Sequence, residues 1–389
     1  MRGCRVAGLA LLVITGASAA HGQAAESEFI AFGDSITKGE SRYDEQNRGG
    51  YPGRLQGKLR QANPDAIVHN AGNSGETTAQ GVSRITFTLG NFPSADALLL
   101  MEGTNDINLL VGGLISFESI ATNLATIANR AGNAGLVVYH ATIIPRPPFA
   151  RHDSRNTLTS ALVRALRDVA FRQGRSLVDP YDKLFFTPGA FDTLYSRGDT
   201  VGHPNAAGFA VLADAFFDVV SGIDTQGPVP GELEPGYGVA RIGPAIDLEL
   251  TIYDLGDGID PDNTTLTING QAVETTLTGN ARRQTLTHDT TKESLSCYAR
   301  VGIRASDLAD PPNVSDHVYK EYGVNGGTII RGDINKSCRV DGVDLLIVAL
   351  ALGSRNGEAR YSKAADLNND GKVDGLDVAQ LASKFGRSS

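Results

Sequence analysis

Tryptophan is absent from this chain of 389 residues, and the aromatic residues together make up only 6% of it. That scarcity counts against a Trp-based platform for stacking on sugar rings. Basic runs are missing as well. Lys and Arg number 35 against 44 Asp and Glu, giving a formal charge of −9, which argues against nucleic acid as a partner. Beyond the N-terminal segment no stretch is long and apolar enough to span a bilayer. Cysteine is sparse, with three in the chain. Cys4 precedes an apolar run, which leaves Cys297 and Cys338, and the sequence leaves a disulfide and two separate buried thiols equally open.

What is present divides the chain. Arg2 and Arg5 precede the apolar run Val6 to Ala17, and Ala17-Ser18-Ala19 offers a small-residue cleavage signal. Residues 1–24 therefore read as a secretory signal peptide, whose removal takes the charge from −9 to −11. The expected location is secreted, extracellular or associated with the cell surface.

Residues 28–221 alternate apolar runs (29–32, 66–69, 97–101, 136–142, 176–178) with helical patterns (51–62, 117–131, 158–173, 206–220). Strands that are apolar almost throughout, alternating with helices, predict an α/β domain with a parallel sheet covered on both faces. Residues 222–236 are rich in Gly and Pro without an apolar period, and read as a linker. Residues 237–330 change texture to short Thr- and Val-rich runs broken by Gly, Asn and Asp, which predicts a β-sandwich. The stretches GIDPDNTTLTINGQAV and VGIRASDLAD resemble bacterial immunoglobulin-like modules.

Residues 331–389 repeat themselves. DINKSCRVDGVDLL from Asp333 returns 33 residues later as DLNNDGKVDGLDVA from Asp366. In the second copy Asp366, Asn368, Asp370, the Lys372 carbonyl, Asp374 and Asp377 fall at loop positions 1, 3, 5, 7, 9 and 12, with Gly371 at position 6. Oxygen donors at alternating positions around a glycine turn describe an EF-hand calcium loop, here with Asp and not Glu as twelfth ligand. The first copy offers Asp333, Asn335, Ser337, the Arg339 carbonyl, Asp341 and Asp344. Its Cys338 replaces the glycine and Ser337 removes one charge, so weaker binding or no ion is expected there.

Ser35 lies in FGDSITKGE, just past the first apolar run. In a parallel sheet, ligands collect at the carboxyl ends of the strands. A serine hydroxyl becomes a nucleophile only with a base, an orienting group and donors for an oxyanion nearby. Among seven histidines, His203 stands out because GDTVGHPNAAGF places it in the loop that introduces the last helix, at the same sheet edge.

These residues resemble the SGNH hydrolases, also called GDSL esterases/lipases. Four blocks match in order: Gly33-Asp34-Ser35, NAGNSGETT at 70–78, EGTNDI at 102–107, and HPNAAGF at 203–209. The resemblance implies a three-layer, flavodoxin-like fold. It makes Ser35 the nucleophile and His203 the base, with the Ser35 N–H, Gly75 and Asn105 as the oxyanion hole. Catalysis would need no cofactor. The family sets an aspartate three residues before the histidine, where this chain has Thr200, and Asp199 is the expected substitute. The C-terminal pair resembles a type I dockerin, which implies calcium and a cohesin-like partner. The Ser/Thr recognition pair at positions 10 and 11 is replaced by Gly342-Val343 and Gly375-Leu376.

The expected activity is that of a secreted serine esterase, most simply an O-acetyl esterase acting on an acylated carbohydrate or other small ester. A lipid or aryl esterase of lysophospholipase-like type is the alternative within the class. A non-catalytic, calcium-binding surface or adhesion protein is the alternative outside it.

Overall fold

The computed structural model of the chain describes residues 26–41, 49–146, 153–185, 187, 189–196, 199, 202–236, 239, 241–243, 245–292, 295, 297–324, 327 and 330–388. The expected signal peptide, Thr200 and the loop around His152 lie outside them.

The first domain carries strands β1 (Glu28–Gly33), β2 (Ile67–Gly72), β3 (Ala97–Met101), β4 (Val137–Ala141) and β5 (Ser176–Val178). All pair in parallel, in the order β2-β1-β3-β4-β5. That is the flavodoxin-like doubly wound order, whose switch point falls between β1 and β3. Alternation along β1 explains its unbroken apolar run. Phe29 and Ala31 enter one core with Leu55, Phe209 and Phe216, while Ile30 and Phe32 enter the other with Ile85, Leu124 and Leu162.

Its helices, among the described residues, are α1 (Ser35–Lys38), α2 (Gly50–Leu59), α3 (Thr78–Asn91), α4 (Asp106–Val111), α5 (Phe117–Asn133), α6 (Asp153–Arg172), α7 (Pro180–Phe185), α8 (Ala190–Thr193) and α9 (Ala206–Val220). Helix α9 matches its sequence expectation at both ends. Asn205 starts it by accepting from the Ala207 and Gly208 amides. Helix α3 was not legible in the sequence. Its Thr- and Gly-rich stretch has poor propensity, and it is set by the Thr77/Gln80 capping box and the burial of Ile85.

The all-β region is a sandwich of two sheets. One contains β9 (Ile259–Ile268), β10 (Gln271–Ala272), β13 (Tyr298–Asp307), β14 (Val314–Val324) and the short β7 (Arg241–Ile242). The other contains β6 (Val229–Glu234), β8 (Asp247–Tyr253), β11 (Thr276–Asn280) and β12 (Arg283–Asp289). Leu250 and Leu286 from one sheet share a core with Leu266, Val301 and Ile303 from the other. Strand β6 corrects the linker expected at 222–236. Val229 and Leu233 are buried, and the register shift between Pro230 and Leu233 accommodates a proline with no N–H to donate.

Polar contacts seal the hydrolase-side helix α6 against the sandwich. The buried Arg167 bonds Asp179 at 2.6 Å, Asp182 at 2.7 Å and the Pro230 carbonyl at 2.9 Å. Tyr253 donates to Asp168 at 2.6 Å.

The tail holds α10 (Gly342–Ala351) and α11 (Gly375–Ala382) around Val340, Val348, Val373 and Leu381. A disulfide joins Cys297, just before β13, to Cys338 in the first repeated loop, with Cα atoms 5.6 Å apart. Closing that separation of 41 residues removes denatured-state entropy worth ~4 kcal/mol in the chain-entropy model.

Replacing Arg167 with leucine strips two buried carboxylates of their counter-charge. Arg167→Leu is expected to destabilise the protein by ~3–5 kcal/mol in urea unfolding; a loss below about 1 kcal/mol would contradict this account of the junction.

Candidate active site

The site is built at the carboxyl ends of β1, β2 and β3. At the end of β1 the chain turns into α1 with Asp34 as N-cap, its Oδ1 accepting from the Ile36 amide at 2.8 Å. Ser35 thus occupies the first helical position, where the backbone N–H has no intrahelical acceptor. Gly33 must be glycine because a Cβ would lie 2.1 Å from the Met101 carbonyl oxygen on β3.

His203 Nε2 lies 2.9 Å from Ser35 Oγ across 168 residues of sequence. Its Nδ1 lies 2.8 Å from Asp199 Oδ2, and the Gly202 amide donates to Asp199 Oδ1 at 3.2 Å. A ring whose Nδ1 proton is held by a carboxylate keeps Nε2 free to accept from the serine. The loop is pinned at its ends: Ser196 N donates to the His203 carbonyl, and Asn205 N to that of Leu194. Asp199, four residues before the histidine, thus presents its carboxylate to the ring. Ser35, Asp199 and His203 are all buried.

Gly75 and Asn105 sit on neighbouring loops. Gly75 has φ +73, with open space where a Cβ would be. Asn105 Nδ2 donates to the Glu76 carbonyl at 2.8 Å, which holds its amide beside the Gly75 loop.

That loop is fastened by residues the motifs did not single out. Arg84 on α3 bonds both oxygens of the buried Glu76, donates to the Ala71 carbonyl at 2.9 Å and to that of Gly33 at 3.3 Å, and lies 3.9 Å over the Phe32 ring. One guanidinium therefore ties the ends of β1 and β2 to the Gly75–Glu76 turn. Asp106, read in the sequence only as part of the Asn-Asp pair, accepts from Thr78 N at 2.9 Å and Thr78 Oγ1 at 2.6 Å. It fixes the start of α3 to the start of α4.

Acidic groups crowd beneath the site. Burial pushes Asp34 up to about 6, although the Ile36 amide and the charges of His203 and Arg146 pull the other way. Glu102 goes further. Burial first, then the charges of Glu76, Asp34 and Asp106, push it up to about 10, and among the described residues neither of its carboxyl oxygens has a hydrogen-bond partner. A neutral carboxyl there spares the site one more buried negative charge. His140 is buried on β4 and pushed down to about 4 by desolvation, the behaviour of a packing residue.

In the tail, the two loops share one backbone. Position 4 is left-handed in both (Lys336 φ 64, Asn369 φ 58), and so is position 6 (Cys338 φ 72, Gly371 φ 83). Cys338 thus adopts the glycine conformation, with its side chain tied by the disulfide. Asp344 and Asp377, both fully buried, each accept three backbone amides from their own loop. Asp333 accepts from Ser337 and Cys338, and Asp366 from Asp370 and Gly371. Two buried carboxylates at positions 1 and 12 of each loop, with oxygen ligands between, fit a hard cation such as calcium.

Among known proteins, the GDSL-like Lipase/Acylhydrolase family matches residues 31–211 and the Dockerin type I domain matches residues 331–386. No curated protein matches the chain. Among solved structures, the lipase/acylhydrolase from Enterococcus faecalis is 24% identical, over 50% of this chain and 96% of that one, with a TM-score of 0.42. LAE5, an alpha/beta hydrolase enzyme from the metagenome of Lake Arreo, is 24% identical over 51% and 97%, at 0.41. An acetylxylan esterase from Geobacillus stearothermophilus is 20% identical over 50% and 95%, at 0.42. Each covers about half of this chain.

Glu102 generates a pH prediction. Unfolded, it releases its proton near 4.5; folded, it keeps it to about 10. Its contribution to stability is full below the lower value and is lost as pH rises towards the upper one. Glu102→Gln removes that loss, so its unfolding free energy relative to wild type should rise between about pH 6 and about pH 9, by at most about 1.4 kcal/mol per pH unit. Urea melts giving parallel curves for the two proteins would rule this out.

Proposed function

We infer the following chemistry for a chain that carries a GDSL-like lipase/acylhydrolase domain over residues 31–211 and a dockerin type I domain over residues 331–386. Such a chain is a carboxylic ester hydrolase with a calcium-binding module at its C-terminal end. The observation that carries the mechanism is the 2.9 Å approach of His203 Nε2 to Ser35 Oγ, backed by Asp199 at 2.8 Å.

Ser35 Oγ attacks the ester carbonyl while His203 Nε2 takes its proton. Asp199 keeps the imidazole in the right tautomer and stabilises the imidazolium. Negative charge gathers on the carbonyl oxygen, which the N–H groups of Ser35 and Gly75 and the Asn105 amide are assigned to meet. An asparagine amide carries two N–H bonds, so donation to Glu76 leaves one for the oxyanion. His203 then protonates the leaving alcohol, and an acyl group remains on Ser35. Water, deprotonated by the same imidazole, attacks the acyl-enzyme and releases the acid. No metal enters these steps.

The substrate we propose is an O-acetyl or similar short acyl ester on a polysaccharide, met outside the cell after export. Support for the carbohydrate comes from the appended module, since dockerin domains bind cohesins. Support for export comes from the Arg2 to Ala19 pattern, and no helix among the described residues is long and apolar enough to cross a membrane. Calcium in the tail is assigned to Asp333, Asn335, Ser337, Asp341 and Asp344, and to Asp366, Asn368, Asp370, Lys372 (through its carbonyl), Asp374 and Asp377. A cohesin-like partner is proposed for the tail as a whole; Gly342-Val343 and Gly375-Leu376 stand where the recognition hydroxyls would be.

Ser35→Ala should abolish p-nitrophenyl acetate hydrolysis, and Asp199→Asn should lower kcat by up to about 10⁴. Asn105→Ala should cost ~10²–10³. A Ser35→Ala enzyme as fast as the parent would end the serine mechanism. Acetate release from acetylated xylan, set beside turnover of a lysophospholipid, tests the substrate class; preference for the lipid would overturn the carbohydrate reading. For the tail, adding calcium to the chelator-treated chain should raise its helical circular dichroism, and Asp366→Ala with Asp377→Ala should reduce that gain.

A further inference from the structure

Three carboxylates meet far from Ser35, at the junction between the hydrolase domain and the sandwich. Asp224 follows α9, Asp254 follows β8 directly, and Asp307 ends β13. One oxygen from each lies within 4.8 Å of the others. Asp254 and Asp307 are buried, at 4% and 1% exposure, and Asp224 is half-buried. Among the described residues no lysine, arginine or histidine forms an ion pair with any of the three. The nearby Lys183 is spent on Asp218 and Thr225.

Backbone amides aim the cluster. Asp254 Oδ1 accepts from Gly256 and Gly258, Asp224 from Gln226 and Asp257, and Asp307 from Ala309 and both nitrogens of Asn313. Five of the six oxygens therefore have donors. The sixth, Asp254 Oδ2, is buried with no hydrogen-bond partner. A bare oxygen at a point where three like charges converge is costly unless something positive sits against it.

We propose that Asp224, Asp254 and Asp307 bind one calcium ion that clamps the hydrolase domain to the sandwich. Calcium holds its oxygens at ~2.3–2.6 Å, and three carboxylate oxygens that all lie within 4.8 Å of one another can reach one such ion with small side-chain adjustments. The donors are all hard oxygens drawn from three separate loops. Such an irregular set suits calcium, which tolerates variable geometry, better than magnesium, which demands an octahedron. The cleft of about 380 Å³ lined by Asp224, Asp254 and Asp257 gives water and ions a way in. This site is distinct from the tail loops, and its ion does not depend on which ester the enzyme cleaves.

The test counts ions on the full-length protein. After stripping with a chelator and dialysis against about 1 mM free calcium, a level matched to weak extracellular sites, bound calcium per chain is measured by atomic absorption. Asp224→Asn, the least buried position, and Asp307→Asn should each bind one ion fewer than the parent, with p-nitrophenyl acetate hydrolysis retained as the sign of a folded chain. The parent's count should survive an equal concentration of magnesium. A variant that retains hydrolysis and keeps the parent's count overturns the site. A parent that loses that ion to magnesium overturns the assignment to calcium.

Discussion

The contact between His203 Nε2 and Ser35 Oγ, 2.9 Å across 168 residues, depends on a sheet that cannot slip. Both residues are delivered by short turns at strand or helix ends, and each turn is anchored by backbone bonds that tolerate little movement. Asp34 caps α1 through the Ile36 amide, and the His203 carbonyl is held by Ser196 N. The strands beneath bury both faces, so a shift of one residue in register would exchange the two cores and carry Ser35 to the wrong side. The reactive geometry is thus a by-product of packing Phe29 and Ala31 one way and Ile30 and Phe32 the other.

Beneath the sheet edge, electrostatics govern which groups can be charged. Glu76, Glu102, Asp34 and Asp106 are all buried close together. Arg84 neutralises Glu76 and Thr78 satisfies Asp106, which leaves Glu102 to remain protonated. The result keeps uncompensated negative charge away from a place where an oxyanion must form. Asp199 differs from them in facing the His203 ring, which it meets at 2.8 Å while its other oxygen accepts from the Gly202 amide.

Much of this was legible in the sequence, for identifiable reasons. The strands read clearly because apolar residues run unbroken through them, and α9 read to the residue because Asn205 caps it and its faces are apolar. Ser35, Gly75, Asn105 and His203 were visible because each sits in a short block whose composition is unusual. What stayed hidden lay in side chains that act over distance. Arg84, on a helix of weak propensity, reaches four groups that no spacing rule connects to it. Glu102 opens the EGTNDI block without being marked out there, and only its burial shows why it holds its proton. Strand β6 hid behind Pro230 and Gly231, which mimic a linker. Asp224, Asp254 and Asp307 are scattered over more than eighty positions of an acidic chain, with nothing in their neighbours to set them apart.

The bond between Cys297 and Cys338 fastens the first repeated loop to the base of β13, and Tyr298 donates to the Asp333 carbonyl at 2.8 Å beside it. A module tethered by a slack chain would let its cargo sweep a wide sphere. Here the attachment is short and doubly fixed, so whatever grips the tail also sets the bearing of everything upstream of it. Reach is traded for aim, and the trade completes itself only where thiols are oxidised.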